Sequence, residues 1–422
     1  MQPPSRADFP FHRDPVSLIA ETLVSVVTKA VITLDDGEQR LVAIKVGKAR
    51  KGLVLEPHDI VKELRLLSSL SHPAIISVLG HKYDAPLSSQ RFWMPFMPFT
   101  LSDLLSIPTF SPIPNPDALR STRNEELAFE VVAKSIVYQI LSGVAYLHSQ
   151  ERQIAHRDIK PRNILLDTSG SAVLIDFGCC PEEKMYFEVG SGPYRAPELL
   201  FGARKYDAMA CDLWSLGATF AEFFTTLHRR ATSDGLDDDN EERGDPTNAY
   251  LSDELPWAFS PSQWERYSLF DGSRGDIGLA WSIFRIRGSP TPETWPTFSD
   301  LPDANKVNFV DSPGVHLSTL LPHLGVPSPQ GPPVHRPPAE QESTAVDLLQ
   351  RFLVYAPASR FSAQGALRHP WLLGDGPLVL PRVALATVSA AESVAEMRDS
   401  RTAAEWFKVF FVSGSPRTEQ GT

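Results

Sequence analysis

The eight residues His156-Arg157-Asp158-Ile159-Lys160-Pro161-Arg162-Asn163 crowd six ionisable or amide side chains into one short run, and Asp176-Phe177-Gly178 follows with its acid eighteen positions after Asp158. They lie in a stretch, Arg152 to Gly178, that reads as short strands and loops, directly after a long helix with apolar faces over Leu127 to His148. The fold must therefore deliver this charged run to a polar site while the helix before it enters a core. Of 422 residues, 42% are hydrophobic and 22% charged, enough to bury a substantial core, which excludes a wholly disordered or fibrous chain. Lys and Arg total 40 against 51 Asp and Glu; the net charge of -11 argues against broad nucleic-acid binding or adhesion to an anionic membrane, and neither partner is expected. A local basic groove stays open.

Met1 to Pro15 carries charges and prolines without an apolar stretch resembling a signal peptide, so secretion is not expected. The least charged helical stretch, Ser135 to Gln150, reads as a buried helix and falls below the ~20 apolar residues a bilayer span needs. Cys179, Cys180 and Cys211 form no metal-ligand spacing, and adjacent cysteines seldom pair, which points to a reduced cytoplasmic or nuclear setting.

Leu18 to Val46 is rich in Val, Ile, Leu and Thr and broken by Asp35-Asp36-Gly37, the pattern of strands joined by a turn. Pro57 to Leu70 sets Ile60, Leu64 and Leu67 at helical spacing, and Arg91 to Phe99 reads as an aromatic and Met-rich strand punctuated by Pro95 and Pro98. From Leu101 to Leu105 onward the chain turns helical. Arg229 to Tyr250, with Asp237-Asp238-Asp239 and Glu241-Glu242, cannot bury a face and reads as an acidic loop; Ser312 to Pro338 is proline-dense and aperiodic. Both fit tolerated surface loops or docking segments. No internal repeat is visible. A small β-rich region with one helix thus comes first and a more helical part follows.

The run His156 to Asn163, Asp176-Phe177-Gly178, Val42-Ala43-Ile44-Lys45 upstream and Ala196-Pro197-Glu198 downstream occur in the order of the protein-kinase signatures, and the chain resembles the eukaryotic protein kinases from Leu18 to Leu372. The resemblance implies an α+β bilobal fold, with an N-lobe over 18–97 and a C-lobe over 98–372 with insertions near 229–250 and 312–338, between extensions at 1–17 and 373–422. It also implies ATP and Mg²⁺, because phosphoryl transfer needs positioning and charge stabilisation more than covalent chemistry. Lys45 is expected to hold the α and β phosphates, with Glu63, eighteen residues later, fixing its ammonium. Asp158 is expected to orient the substrate hydroxyl, and Asn163 and Asp176 to supply hard oxygen ligands to Mg²⁺. Taken singly, each of these residues would more often be a cap or turn residue; the motif context reverses that. Lys160 matches the Ser/Thr-kinase pattern, with Ser191 set against it. Met94, the carbonyl of Pro95 and the amide of Met97 match the adenine-binding edge, for which the missing amide of proline is no obstacle. Asp212 to Gly217, Arg360 as the partner of Glu198, and His148 are read as structural.

The sequence departs from the family where three glycines should cover the phosphates: Ala20, Thr22 and Ser25 stand there, small but without glycine's backbone freedom. Between Asp176 and Glu198 there is no Thr, the only Ser is Ser191, and the position of the usual phosphorylated residue is Tyr186; Glu182 and Glu183 fit equally a constitutive charge for Arg157 and a plain acidic loop. Tyr194 to Gly202 and Ile283 to Pro290 with Trp295-Pro296 resemble the cyclin-dependent and mitogen-activated kinase group, while Pro57 to Glu63 keeps only Pro57 and Glu63 of the cyclin-contacting motif. With Gly190-Ser191-Gly192-Pro193-Tyr194, these features resemble the monomeric fungal kinases that activate cyclin-dependent kinases. That implies a protein substrate, a cyclin-dependent kinase, and a monomer needing no cyclin. A cyclin-bound kinase of the same group and a pseudokinase scaffold are the rival readings.

Overall fold

Alternation along the strands decides which side chains reach the cleft. A computed structural model of the chain describes residues 17–22, 24–33, 37–49, 59–112, 123–179, 189–229, 264–321, 344–374, 378–385 and 401–411. Strands β1 (Ser17–Glu21), β2 (Ser25–Thr33), β3 (Gln39–Lys48), β4 (Gly80–Asp84) and β5 (Ser89–Pro95) form one antiparallel sheet in the order β1-β2-β3-β5-β4. Successive side chains of a strand face opposite ways. Val42 and Ile44 of β3 therefore join Ala30, Ile32 and Trp93 in a small core on one face, and Lys45 projects from the other. Against that second face lies helix α1 (Ile60–Ser69), which buries Ile60, Glu63, Leu64 and Leu67 and is capped by Asp59, whose Oδ1 accepts from the amides of Val61 and Lys62 at 2.9 and 3.1 Å.

The sequence predicts one strand from Arg91 to Phe99, punctuated by Pro95 and Pro98; the structure divides it. β5 ends at Pro95, which is still paired with Val42, and the next strand, β6 (Phe99–Thr100), belongs to a second sheet; Pro98 between them has no amide hydrogen to donate to a ladder. β4, with only two of its residues partly shielded, carries no apolar alternation to announce it.

The second lobe is helical. After α2 (Leu101–Leu105), the long α3 (Arg123–Leu147) runs through the core. It is longer than the apolar stretch suggested: Glu126–Leu147 would pass for a membrane span by length and composition, yet 83% of its apolar window is buried inside the lobe. A three-stranded sheet, β6-β7-β8, is completed by β7 (Ile164–Leu166) and β8 (Ala172–Leu174) and lies at the cleft. Then come α4 (Pro197–Leu200) and α5 (Ala208–Ala221), buried at every residue from Ala210 onward. β9 (Leu227–Arg229) pairs with β10 (Trp264–Arg266), closing the base of the acidic insertion, whose residues 230–250 lie outside the described ones. Helices α6 (Gly275–Arg287), α7 (Leu317–Leu320), α8 (Ala345–Phe352), α9 (Ala363–Ala366), α10 (Pro370–Leu373), α11 (Arg382–Leu385) and α12 (Ala403–Phe411) complete the chain. The stretch Ser312 to Pro338, expected to be surface coil, contains α7 and buries Leu317 and Leu321; residues 322–338 lie outside the description.

Candidate active site

The residues that meet in the cleft come from five places in the chain. Lys45 leaves β3 and its Nζ lies 2.8 Å from Glu63 Oε1 and 2.9 Å from Asp176 Oδ1. Burial alone would lower the pKa of this ammonium, but the two carboxylates override it and hold the value above the usual lysine range. Lys45 stays charged at any physiological pH. Asp176 has φ +64, a left-handed backbone that costs a non-glycine residue of order 1–3 kcal/mol and tends to persist where function requires it.

Asp158 is held from three directions. Ser191 Oγ donates to its Oδ1 at 2.8 Å, Lys160 Nζ sits 3.0 Å from its Oδ2, and Asn163 Nδ2 donates to its Oδ2 at 2.9 Å and to its backbone carbonyl at 2.8 Å. Lys160 Nζ also donates to Ser191 Oγ at 2.6 Å. The loop beneath is fixed by Asp212, fully buried on α5, whose two carboxylate oxygens accept from the amides of His156 and Arg157 at 2.7 Å each. His148 Nε2 contacts the same carboxylate at 2.9 Å. So Asp212, read from sequence as part of a structural helix, positions the catalytic loop.

Asn163 and Asp176 suit a Mg²⁺ shared with phosphate oxygens, which needs only one or two hard protein ligands. The amide nitrogen of Asn163 is engaged by Asp158, leaving the amide oxygen as the ligand atom. No cluster of three or more His, Cys, Asp or Glu among the described residues offers a self-sufficient metal cage.

At the expected adenine edge, Met94 is partly buried, Pro95 pairs across the ladder with Val42, and the amide of Phe96 donates to the carbonyl of Leu41 at 3.3 Å before the chain passes through Met97 to β6. Ala20 sits in β1 opposite Val27, while Thr22 and Ser25 frame the hairpin tip. Thr22 Oγ1 accepts from the amides of Val24 and Ser25 at 3.3 and 3.0 Å, and its own amide donates to the carbonyl of Ser25 at 2.9 Å. The missing glycines have thus been replaced by a side-chain-closed turn, a Thr-x-x-Ser signal that the count of glycines did not reveal.

Downstream, Gly190 takes φ +85, and a Cβ there would lie 3.0 Å from Arg195 Cγ, so any other residue would be strained. Tyr194 donates to Glu222 Oε1 at 2.7 Å. Burial pushes the Glu222 carboxyl up to about 7, against the hydrogen bond from Tyr194. Arg360 forks onto Glu198, each nitrogen 2.7 Å from its oxygen. Pro57, Glu182, Glu183 and Tyr186 lie outside the described residues.

A β-rich lobe and a helical lobe, meeting at a lysine, a helix glutamate and two loop aspartates, make up the bilobal kinase fold. Residues 24–372 match the protein kinase domain, and the chain belongs to that family. Its relatives include cyclin-dependent kinase 20 of Danio rerio, 32% identical over 265 residues (61% of this chain, 59% of that protein), and the human protein of the same name, 32% identical over 244 residues (56% and 53%). The matched part thus spans little more than half the length of these relatives. Cyclin-dependent kinase D-1 of Arabidopsis thaliana is 29% identical over 390 residues, 90% of this chain and 76% of that protein. The crystal structure of the yeast RNA Pol II CTD kinase CTDK-1 complex shares the fold, with a TM-score of 0.56 at 23% identity, covering 90% of this chain and 99% of that one.

Proposed function

We propose that this chain is a serine/threonine protein kinase that transfers the γ-phosphoryl group of ATP to the activation-segment threonine of a cyclin-dependent kinase, in the cytoplasm or nucleus, as a monomer without a cyclin. The observation that carries the kinase reading is the closed set of contacts joining Lys45 to Glu63 and Asp176 and joining Asp158 to Lys160, Asn163 and Ser191. Lys45 anchors phosphate oxygens. Asp158 orients the incoming hydroxyl and accepts its proton, while the Lys160 ammonium beside it offsets the negative charge that develops. Asn163 and Asp176 would hold Mg²⁺, which would supply charge neutralisation to the nucleotide phosphates. Lys160 also selects serine and threonine over tyrosine by the family pattern.

Cyclin independence is supported by the way α1 is held. Its cap, its apolar face and its Glu63 ion pair are all satisfied by residues of the same chain. The absence of Thr between Asp176 and Glu198 removes the usual phosphorylation switch. Ser191 cannot replace it, since a phosphate there would face Asp158 at hydrogen-bond distance. A second reading, a cyclin-dependent kinase of the same group, is favoured by the names of the relatives and by a structural neighbour solved as a complex.

The two separate by product. Phosphatase-treated chain, incubated with ATP, Mg²⁺ and an unphosphorylated cyclin-dependent kinase, is expected to modify that kinase's activation-segment threonine, as read by mass spectrometry, and Tyr186→Phe is expected to do the same. Modification elsewhere only, or only after cyclin is added, would favour the second reading.

The altered lid makes a further prediction. Because Thr22 occupies the amides of Val24 and Ser25, the lid contributes little to phosphate binding. Glycine at positions 20, 22 and 25 together should leave the enzyme active with an ATP KM equal to or below that of the wild type. A folded triple variant with a raised KM would show that these side chains bind the nucleotide themselves.

A further inference from the structure

Helix α12 lies outside the matched kinase domain, yet it is packed as firmly as a core element. Its start is a capping box: Thr402 Oγ1 accepts from the amide of Glu405 at 3.3 Å, and Glu405 Oε2 accepts from the amide and hydroxyl of Thr402 at 2.6 and 2.9 Å. Trp406, Phe407 and Phe410 are buried to within 1% of complete. This helix meets the three-stranded sheet at two points. At one, the ring of Phe411 stacks on Phe99 of β6, centroids 4.1 Å apart, while Phe410 meets Phe110 edge-on at 5.0 Å. At the other, Ala403 and Phe407 close over Gly170 in the turn between β7 and β8. A Cβ on Gly170, whose φ is +89, would lie 2.8 Å from the Cβ of Ala403. Gln139 of α3 grips the same turn, donating to the carbonyl of Gly170 and accepting from the amide of Ala172 at 3.0 Å each.

That sheet carries the nucleotide site. β6 begins two residues after Met97, β7 begins at the residue after Asn163, and β8 ends two residues before Asp176, with Phe99 paired to Leu166 and Leu166 to Ala172. We infer that α12 is a brace of the nucleotide site, a positioning element that sets the adenine edge and the two metal-ligating residues relative to one another by holding Phe99 and the Gly170 turn. This inference rests on the kinase reading. A helix that only covers apolar surface would change stability alone. A brace also changes how well ATP is held, since small misplacements of binding groups are costly and 1 Å reaches ~10²-fold.

The test is steady-state kinetics on the full chain carrying Phe411→Ala, well below its melting temperature, with Phe411→Leu in its place if the alanine variant does not fold. The expected result is an ATP KM raised at least about threefold, with the KM for the protein substrate unchanged. A lowered melting temperature with an unchanged ATP KM would overturn the brace while leaving the kinase reading intact. Wild-type chain that neither binds nor turns over ATP would overturn both.

Discussion

Replacing Asp158 by Asn is expected to lower phosphoryl transfer at least ~10²-fold, with the chain still folded, and Lys45→Met to do the same by a different route. In Asp158→Asn the contacts from Ser191 Oγ and Asn163 Nδ2 have an amide to meet, so the loop stays seated on Asp212, but no group remains to accept the hydroxyl proton. In Lys45→Met the thioether fills the volume while Glu63 and Asp176, both bonded to the ammonium in the wild type, lose their shared cation. Radiolabel transfer reports the activity and circular dichroism the fold. Turnover near the wild-type level in either variant would remove that residue from the assignment above.

The largest expected effect on stability is at Arg360. Its guanidinium is buried and forked on Glu198; its remaining N–H groups donate to the carbonyls of Ala210, Tyr355 and Val354 at 2.9, 3.1 and 2.9 Å. Burial alone would lower its pKa, but Glu198 beside it raises the value above the ordinary one, so the guanidinium stays charged in the folded chain. Removing one partner strands the other charge in the core. Arg360→Met is expected to cost about 3–5 kcal/mol in urea unfolding. The double variant Arg360→Met with Glu198→Gln should recover part of that loss, because the stranded charge is gone. A single variant within ~1 kcal/mol of wild type would mean the pair is solvated rather than structural.

How much of this was legible in the chain depends on what carried each signal. β2 and β3 were visible because Leu18 to Val46 is rich in Val, Ile, Leu and Thr and is broken by Asp35-Asp36-Gly37, and α1 because Ile60, Leu64 and Leu67 recur at helical spacing. The catalytic loop was visible because its chemistry demands a fixed set of side chains within eight residues. The pairing of Lys45 with Glu63 followed from the resemblance to protein kinases together with the place of Glu63 on an amphipathic helix, and the structure puts the two 2.8 Å apart. Strands β6, β7 and β8 were not separable, since two or three residues cannot show a period and their ladder is imposed by neighbours distant in sequence. The break after Pro95 was written in the sequence but read as punctuation. Helix α12 went unread although its signal was local: Thr402 with Glu405 three residues on, then Trp406, Phe407, Phe410 and Phe411 on adjoining positions of one face. The Thr22 turn was not legible for a different reason: it is closed by one hydroxyl accepting from the amide of Ser25, a contact that residue counting along a glycine pattern does not register.

Whether this single chain is an assembled kinase can be measured directly. The direct measurement is the rate of phosphoryl transfer to a cyclin-dependent kinase by bacterially produced, phosphatase-treated chain, with and without added cyclin. Lys45, Glu63 and Asp176 are already joined by contacts within the chain, so turnover is predicted to be present after phosphatase treatment and unchanged by cyclin. Turnover that is silent until cyclin is added, or lost on dephosphorylation, would contradict it.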